Sequence, residues 1–470
     1  MIPNRRAILM TACLAPGLVG CGPHSQPVRP PPVVPVSLSV APTPSGASIA
    51  PGMAGFSYEK AGLAGPLFDA ANAPLVTLFR RLGPSVLRVG GNSVETTPWS
   101  PSGAGLTPGT VSPPDLTRLA GFLRAANWTL IYGIGLANTT PADAAAEAAA
   151  AAGACGDRLL GFEIGNEPDL YHANGLRPST YTYADYRTEW EAAASATRAA
   201  LPQAVLTGPA AAWDYGGFTV PFATDEAGAI SLLTHHYYRA DGQSPTATIR
   251  LLLSSDPGLR LVLAALSGAA SAHAVALGAR LDEANSFYNG GAPGVSNSFA
   301  SALWAVGFLF QTARGGLSGV NLHGGGSAPG YTPIADDGTN VVEARPAYLG
   351  MCLFTLAGTG QLRDVTISPI VLPMAAWAVT SSANRSLVVI NGDESHDADV
   401  TAILEAPASS ADLVALTGPS LSATRGALLQ GAPVAADGSW KPLPAVAVPV
   451  SGSTVEFRVQ AASAVLVRIH

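Results

Sequence analysis

The chain has 470 residues, of which 48% are apolar and 12% charged, and its 25 Lys and Arg against 32 Asp and Glu give a formal net charge of −7. That balance excludes a disordered chain, which is poor in apolar side chains and rich in charge, and the length allows a barrel of about 250 residues plus a second module. The basic residues are scattered rather than gathered into a stripe, so no surface is set up to neutralise a run of phosphates, and nucleic acid is excluded as a partner.

Residues 1–21 read as an export signal. Arg5 and Arg6 precede an apolar stretch over 7–19 that is too short to span a bilayer, and Leu18-Val19-Gly20-Cys21 resembles a bacterial lipobox. The expectation is an exported protein of the bacterial cell envelope, lipid-anchored through Cys21 or periplasmic, with that anchor as its sole membrane contact. With Cys13 removed and Cys21 lipidated, Cys155 and Cys352 remain; far apart in sequence, they are expected as buried free thiols. Residues 22–36, rich in Pro, Gly, Ser and Gln, form a solvated tether. A strand over 37–50 follows and is expected to pair with the C-terminal module.

Short apolar runs then alternate with amphipathic or Ala-rich stretches. Strands are predicted over 53–58, 86–90, 129–136, 159–165, 205–208, 232–238, 279–283 and 319–323, and helices include 66–82, 114–126, 141–154, 183–201, 255–276 and 298–314. Eight strands alternating with helices imply parallel pairing with right-handed crossovers, so the fold class is α/β: a (β/α)₈ barrel over 51–350. A doubly wound open sheet competes, but no Gly-rich phosphate turn follows the first strand. Over 351–470 short alternating runs separated by Gly, Pro, Asn and Asp predict an all-β sandwich.

The strongest chemical signal is Gly161-Phe162-Glu163-Ile164-Gly165-Asn166-Glu167-Pro168-Asp169. An apolar strand ends in Asn-Glu-Pro, and the C-terminal end of a barrel strand is where catalytic groups face a ligand. Period-two alternation puts Glu163 and Glu167 on one face, which is costly unless both have partners or a task. A second carboxylate, Glu283, ends the seventh barrel strand in Arg280-Leu281-Asp282-Glu283-Ala284-Asn285, just before a Gly-rich loop. Neighbouring strand residues face opposite ways, so one of Asp282 and Glu283 is expected to enter the barrel; Glu283, nearer the strand end, is the choice, and Asp282 is left a structural role. Two such carboxylates suit glycosidic bond cleavage, one acid protonating the leaving oxygen and the other meeting the oxocarbenium-like carbon. No cofactor or metal is expected: His235 and His236 are adjacent, and no His-Glu-x-x-His or paired-Cys spacing occurs.

These segments, together with Gly55-Phe56-Ser57-Tyr58-Glu59, Leu87-Arg88-Val89-Gly90-Gly91-Asn92, His235-His236-Tyr237-Tyr238 and Asp282-Glu283-Ala284-Asn285-Ser286-Phe287-Tyr288, resemble the β-glucuronidase and heparanase family of glycoside hydrolases, family 79 of clan A. Within it the likeness is to bacterial exo-acting β-glucuronidases. The resemblance implies retention of anomeric configuration, with Glu167 as acid/base and Glu283 as nucleophile about 5 to 5.5 Å apart. It further implies that Asn166 meets the sugar 2-hydroxyl, that Glu59 binds ring hydroxyls and that His235 lines the pocket. Tyr237 is expected to donate to Glu283. The sugar carboxylate would be held by the hydroxyls of Tyr288 and Tyr331 and the backbone of Asn289 and Gly290, neutral donors suited to a dry pocket; Lys60 and Arg239 are alternative ion-pair partners. The implied partner is a glucuronic acid-bearing carbohydrate. Competing readings are a clan A β-glycosidase on a neutral sugar and a barrel that only binds carbohydrate; sparse Lys and Arg speak against a long cleft for sulfated chains.

Overall fold

The computed structural model describes residues 31–470. The export signal, Cys13, Cys21 and the start of the Pro-rich stretch lie outside the described residues.

Eight parallel strands close a barrel: β2 (Ala54–Glu59), β3 (Val86–Gly90), β4 (Thr129–Ile134), β5 (Leu159–Ile164), β6 (Leu206–Ala211), β7 (Leu232–Tyr238), β8 (Ala279–Asn285) and β9 (Gly319–Gly324). The preceding strand, β1 (Val33–Ile49), belongs elsewhere, as described below. Between the barrel strands run α1 (Ala73–Arg81), α2 (Pro113–Ala126), α3 (Pro141–Cys155), α4 (Tyr183–Ala200), α5 (Val220–Glu226), α6 (Ile249–Leu253), α7 (Pro257–Ala272) and α8 (Phe299–Arg314). Their starts are written in the sequence. Pro sits at the first or second position of α2, α3 and α7, behind Ser112, Thr140 and Asp256, whose side chains meet the free N–H groups of the first turn. Between barrel and helices Phe56, Phe79, Phe122 and Trp128 pack in contacts of 4.4 to 5.4 Å between ring centroids, each such pair contributing about 0.5–1.5 kcal/mol beyond its buried area.

The last barrel helix, α9 (Pro346–Leu356), runs past residue 350, so the barrel extends beyond the predicted boundary. Pro346 to Phe354 are all buried and largely apolar, packed against α8; a helix apolar all round shows no 3.6-residue stripe to the reader of a sequence. After it, short strands form one continuous hydrogen-bonded sheet that curls into a sandwich. β1 lies within that sheet, antiparallel to the strand Gly360–Ser368 and parallel to Asp397–Ile403. It starts at Val33, so residues 33–36, read as tether, are strand: Val34 and Val36 alternate inward with Leu38 and Val40 in the same apolar core. Trp377 of the sandwich stacks on Phe310 of α8, with centroids 4.9 Å apart. Cys155 and Cys352 are buried free thiols, pushed up by burial to about 11 and about 12.

Candidate active site

The barrel floor is organised by Arg88, which points inward from β3 and is fully buried. Its Nε donates to Glu163 on β5 at 2.7 Å, Nη1 to Glu283 on β8 at 2.6 Å, and Nη2 to Asn166 Oδ1 at 2.8 Å. A guanidinium in the barrel interior is costly alone; burial works against its charge, but Glu163, Asp282 and Glu283 outweigh that and raise its pKa. One side chain thus spans three strands and fixes two of the carboxylates the sequence singles out.

Asp282 departs from the sequence expectation. The register of β7 against β8 pairs His235 with Leu281 and His236 with Glu283, so one residue of β8 is extra at this point. A bulge breaks the alternation, and Asp282 and Glu283 both turn to Arg88, at 3.1 Å and 2.6 Å. Burial and the charge of Glu163 push the Asp282 carboxyl well up; Glu163, raised by burial but countered chiefly by Arg88, is held below its ordinary value.

Two further corrections concern β7. Its side chains alternate regularly, His236 and Tyr238 facing the barrel and His235 and Tyr237 facing the helices. The Tyr238 hydroxyl, not that of Tyr237, donates to Glu283 Oε1 at 2.8 Å; Tyr237 donates to Asp256 at the start of α7. His235 does not line the pocket: its Nδ1 pairs with Thr219 Oγ1 at 2.9 Å, and burial pulls its pKa down to about 3, so it is a neutral structural histidine. The inward histidine is His236, whose Nδ1 lies 3.0 Å from Glu167 Oε1. Burial lowers its pKa, but Glu283, the hydrogen bond to Glu167 and Asp282 carry it up to about 9.

Glu167 reaches the mouth because β5 ends abruptly. Gly165 at φ 86° and Glu167 at φ 52° both adopt left-handed backbone, uncommon and strained for a glutamate. The turn is held from both sides. The N–H of Glu167 donates to Ala210 O at 2.9 Å, and the Asp169 carboxylate accepts from the backbone N–H groups of Ala212, Trp213 and Asp214 at 2.8 to 2.9 Å. A residue that sequence reasoning missed, Glu95, completes the frame. Nearly buried in the turn after β3, its carboxylate accepts from the N–H groups of Leu136, Ala137 and Asn166 and from the Tyr171 hydroxyl. Burial raises its pKa while these four bonds oppose the rise. Its one sequence signal is proximity to the Gly90-Gly91-Asn92 turn.

An oxygen of Glu167, an oxygen of Glu283 and a ring nitrogen of His236 lie within 4.8 Å of one another. They also have the spacing of metal ligands, yet an ion there would face the Arg88 guanidinium and break the His236–Glu167 hydrogen bond. The donor set fits proton transfer better than cation binding. Burial pushes the Glu283 carboxyl up, but the charges of His323, His236 and Arg88 and the Tyr238 hydrogen bond hold it well below the usual carboxylate range.

Above these groups opens a cavity of about 380 Å³, of the size of small-molecule sites. Glu59, Tyr288, Asn289, Gly290 and Tyr331 line it, as does His323. Glu59 is fixed by the backbone N–H and hydroxyl of Ser93, and Gly91, at φ 73°, must be glycine because a Cβ there would lie 2.5 Å from the Glu59 carboxyl carbon. Asn166 lies beside Glu167, 2% exposed, its amide donating to Asn92 Oδ1. Lys60 and Arg239 are elsewhere: Lys60 is buried against Glu147 at 2.7 Å, and Arg239 binds backbone carbonyls of Ser254 and Ser255. The cavity wall carries no Lys or Arg.

No family model matches the chain. A β-glucuronidase of Aspergillus niger is 30% identical over 258 residues, covering 50% of this chain and 47% of that protein, and one of Neurospora crassa is 26% identical over 221 residues, covering 41% and 39%. The chain therefore aligns with about half or less of the length of these curated relatives. Among solved structures, a 4-O-α-L-rhamnosyl-β-D-glucuronidase of Fusarium oxysporum superposes with a TM-score of 0.76 at 17% identity, over 92% of this chain and all of that one. A family 51 arabinofuranosidase of Xanthomonas axonopodis superposes at 0.63 and 16% identity, over 93% and 100%. At these identities the likeness shows the fold, a barrel joined to a β-sandwich.

Proposed function

We propose that the chain is a retaining exo-β-glucuronidase that removes terminal β-linked glucuronic acid from glycans or glycosides. The observation that carries this reading is the convergence of Glu167 and Glu283, from the ends of the fourth and seventh barrel strands, to within 4.8 Å of each other's oxygens. Retaining glycosidases keep their two carboxyl groups about 5–5.5 Å apart, whereas inverting ones leave room for a water.

In the first step the ionised Glu283 attacks the anomeric carbon. The bond to the leaving oxygen breaks, and Glu167 gives that oxygen its proton. In the second, Glu167 takes a proton from water, the water oxygen bonds to the anomeric carbon, and the ester to Glu283 breaks. Arg88, Tyr238 and the neighbouring histidines keep Glu283 charged and aimed, while Asn166, gripped by Arg88, meets the 2-hydroxyl. Tyr288, Tyr331, Asn289 and Gly290 receive the sugar carboxylate through neutral donors, and Glu59 takes ring hydroxyls. The β-glucuronidase names of the two fungal relatives support the choice of sugar. The lipobox-like sequence at Cys21 supports an exported enzyme of the bacterial cell envelope, lipid-anchored or periplasmic. Hydrolysis of p-nitrophenyl β-D-glucuronide, with p-nitrophenyl β-D-glucoside as the control, tests the sugar assignment: preference for the glucoside removes the carboxylate pocket from the account.

A further inference from the structure

The residues around the catalytic cavity fall into two groups. Glu59, Tyr288, Asn289, Gly290 and Tyr331, which receive the sugar in the function proposed above, stand at the end of β2 and in the loops after β8 and β9. Leu170, Asn174 and Trp213 line the same cavity, have no part in that reading, and come from the loops after β5 and β6, on the side of Glu167. An acid that protonates the departing oxygen must stand beside it, so the group carried by that oxygen extends toward the Glu167 side of the mouth.

These three residues are tied to the acid's own turn. The N–H of Leu170 donates to Glu167 O at 2.8 Å and that of Asn174 to Leu170 O at 2.9 Å, while the Asp169 carboxylate accepts from the Trp213 N–H at 2.8 Å. The Trp213 ring meets that of Tyr288 edge to face, with centroids 5.2 Å apart, and is left 43% exposed. A large apolar ring is thus held open to solvent on a fixed backbone, an arrangement that serves a ligand better than it serves the fold. The chemistry of that ligand follows from what surrounds it. Asn174 brings the one side-chain amide of the three, whereas a sugar carries hydroxyls around its whole rim, each costly to bury without a partner. No Lys or Arg lines the cavity and Glu59, Glu167 and Glu283 face it, so an anionic leaving group would be repelled. A neutral aromatic ring asks only for faces to pack on, and Trp213 and Leu170 supply them.

We infer that Trp213, backed by Leu170, forms the leaving-group subsite and that the preferred substrates are β-glucuronides of neutral aromatic alcohols. The inference rests on the glucuronidase reading and is tested beside it. The wild type, Trp213→Ala and Trp213→Phe are assayed on p-nitrophenyl β-D-glucuronide and on β-D-glucuronyl fluoride, whose leaving group is a single atom that spans no subsite. The ratio of kcat/KM for the aryl glucuronide to that for the fluoride should fall about tenfold in Trp213→Ala and less than about threefold in Trp213→Phe, at unchanged Tm. The same subsite receives an acceptor when an alcohol replaces water in the second step. Wild type supplied with equal concentrations of 2-phenylethanol and methyl β-D-glucoside should therefore glucuronylate the aromatic alcohol at least about tenfold more, and Trp213→Ala should lose that preference. An unchanged ratio in Trp213→Ala, whether both substrates slow equally or neither slows, overturns the subsite and leaves the glucuronidase reading standing. Equal or greater transfer to the glucoside overturns the aromatic preference in the same way. A wild type inactive on both glucuronides overturns the reading and the inference together.

Discussion

The hydroxyl of Tyr238 stands 2.8 Å from Oε1 of Glu283, while the adjacent Tyr237 hydroxyl is spent on Asp256 at 2.7 Å on the far side of the same strand. A hydrogen bond to a charged group contributes about 1.5–3 kcal/mol, so Tyr238→Phe should lower kcat/KM by about 10- to 100-fold. Tyr237→Phe should change it by less than about twofold, since its contact lies outside the barrel. Steady-state kinetics of the two variants side by side decide between them; equal effects would return the role to Tyr237.

Arg88 ties Glu163, Glu283 and Asn166 together in the interior. Arg88→Met leaves carboxylates buried without a counter-charge, and unfolding in denaturant should show a loss of about 3–5 kcal/mol along with activity. A fully stable Arg88→Met would mean that the carboxylates take up protons at little cost.

His236 makes stability depend on alkaline pH. Its pKa rises from 6.5 to about 9 on folding, so the folded state binds the extra proton, and the contribution is complete below about pH 6.5 and lost as pH climbs through 9. At about 1.4 kcal/mol per unit this is on the order of 3 kcal/mol. Denaturant unfolding at pH 6 and pH 9.5 should show the loss in the wild type and a flatter dependence in His236→Gln. Parallel slopes for the two proteins would contradict the assignment.

Glu95 does not line the cavity, yet it holds the N–H of Asn166 directly before Glu167. If it positions the acid, Glu95→Gln should slow glucuronides with poor leaving groups, which need a proton, about tenfold more than those with activated nitrophenyl leaving groups. Rates across a leaving-group series test this; uniform slowing would reduce Glu95 to a purely structural residue.

The barrel was legible because strand and helix runs alternate with clear stops, and Glu167 and Glu283 stood out because each closes a strand ahead of a turn. What alternation alone misplaced has a common cause. Period two decides which face a residue takes only relative to a known starting point, and a bulge resets it. The bulge in β8 brought Asp282 inward beside Glu283, whereas β7 alternates regularly and only its starting face was misjudged, so that His236 and Tyr238 rather than His235 and Tyr237 occupy the site. Glu95 went unseen because its four partners come from three separate segments that only folding brings together. The run of α9 past residue 350 was hidden by uniform burial.

The action of Glu283 as a nucleophile beside Glu167 is tested most directly by the anomer of the first sugar released from p-nitrophenyl β-D-glucuronide, followed by proton NMR before mutarotation. The prediction is β-glucuronic acid first, with α appearing later; α-glucuronic acid as the first product would mean direct attack by water and would contradict the double displacement.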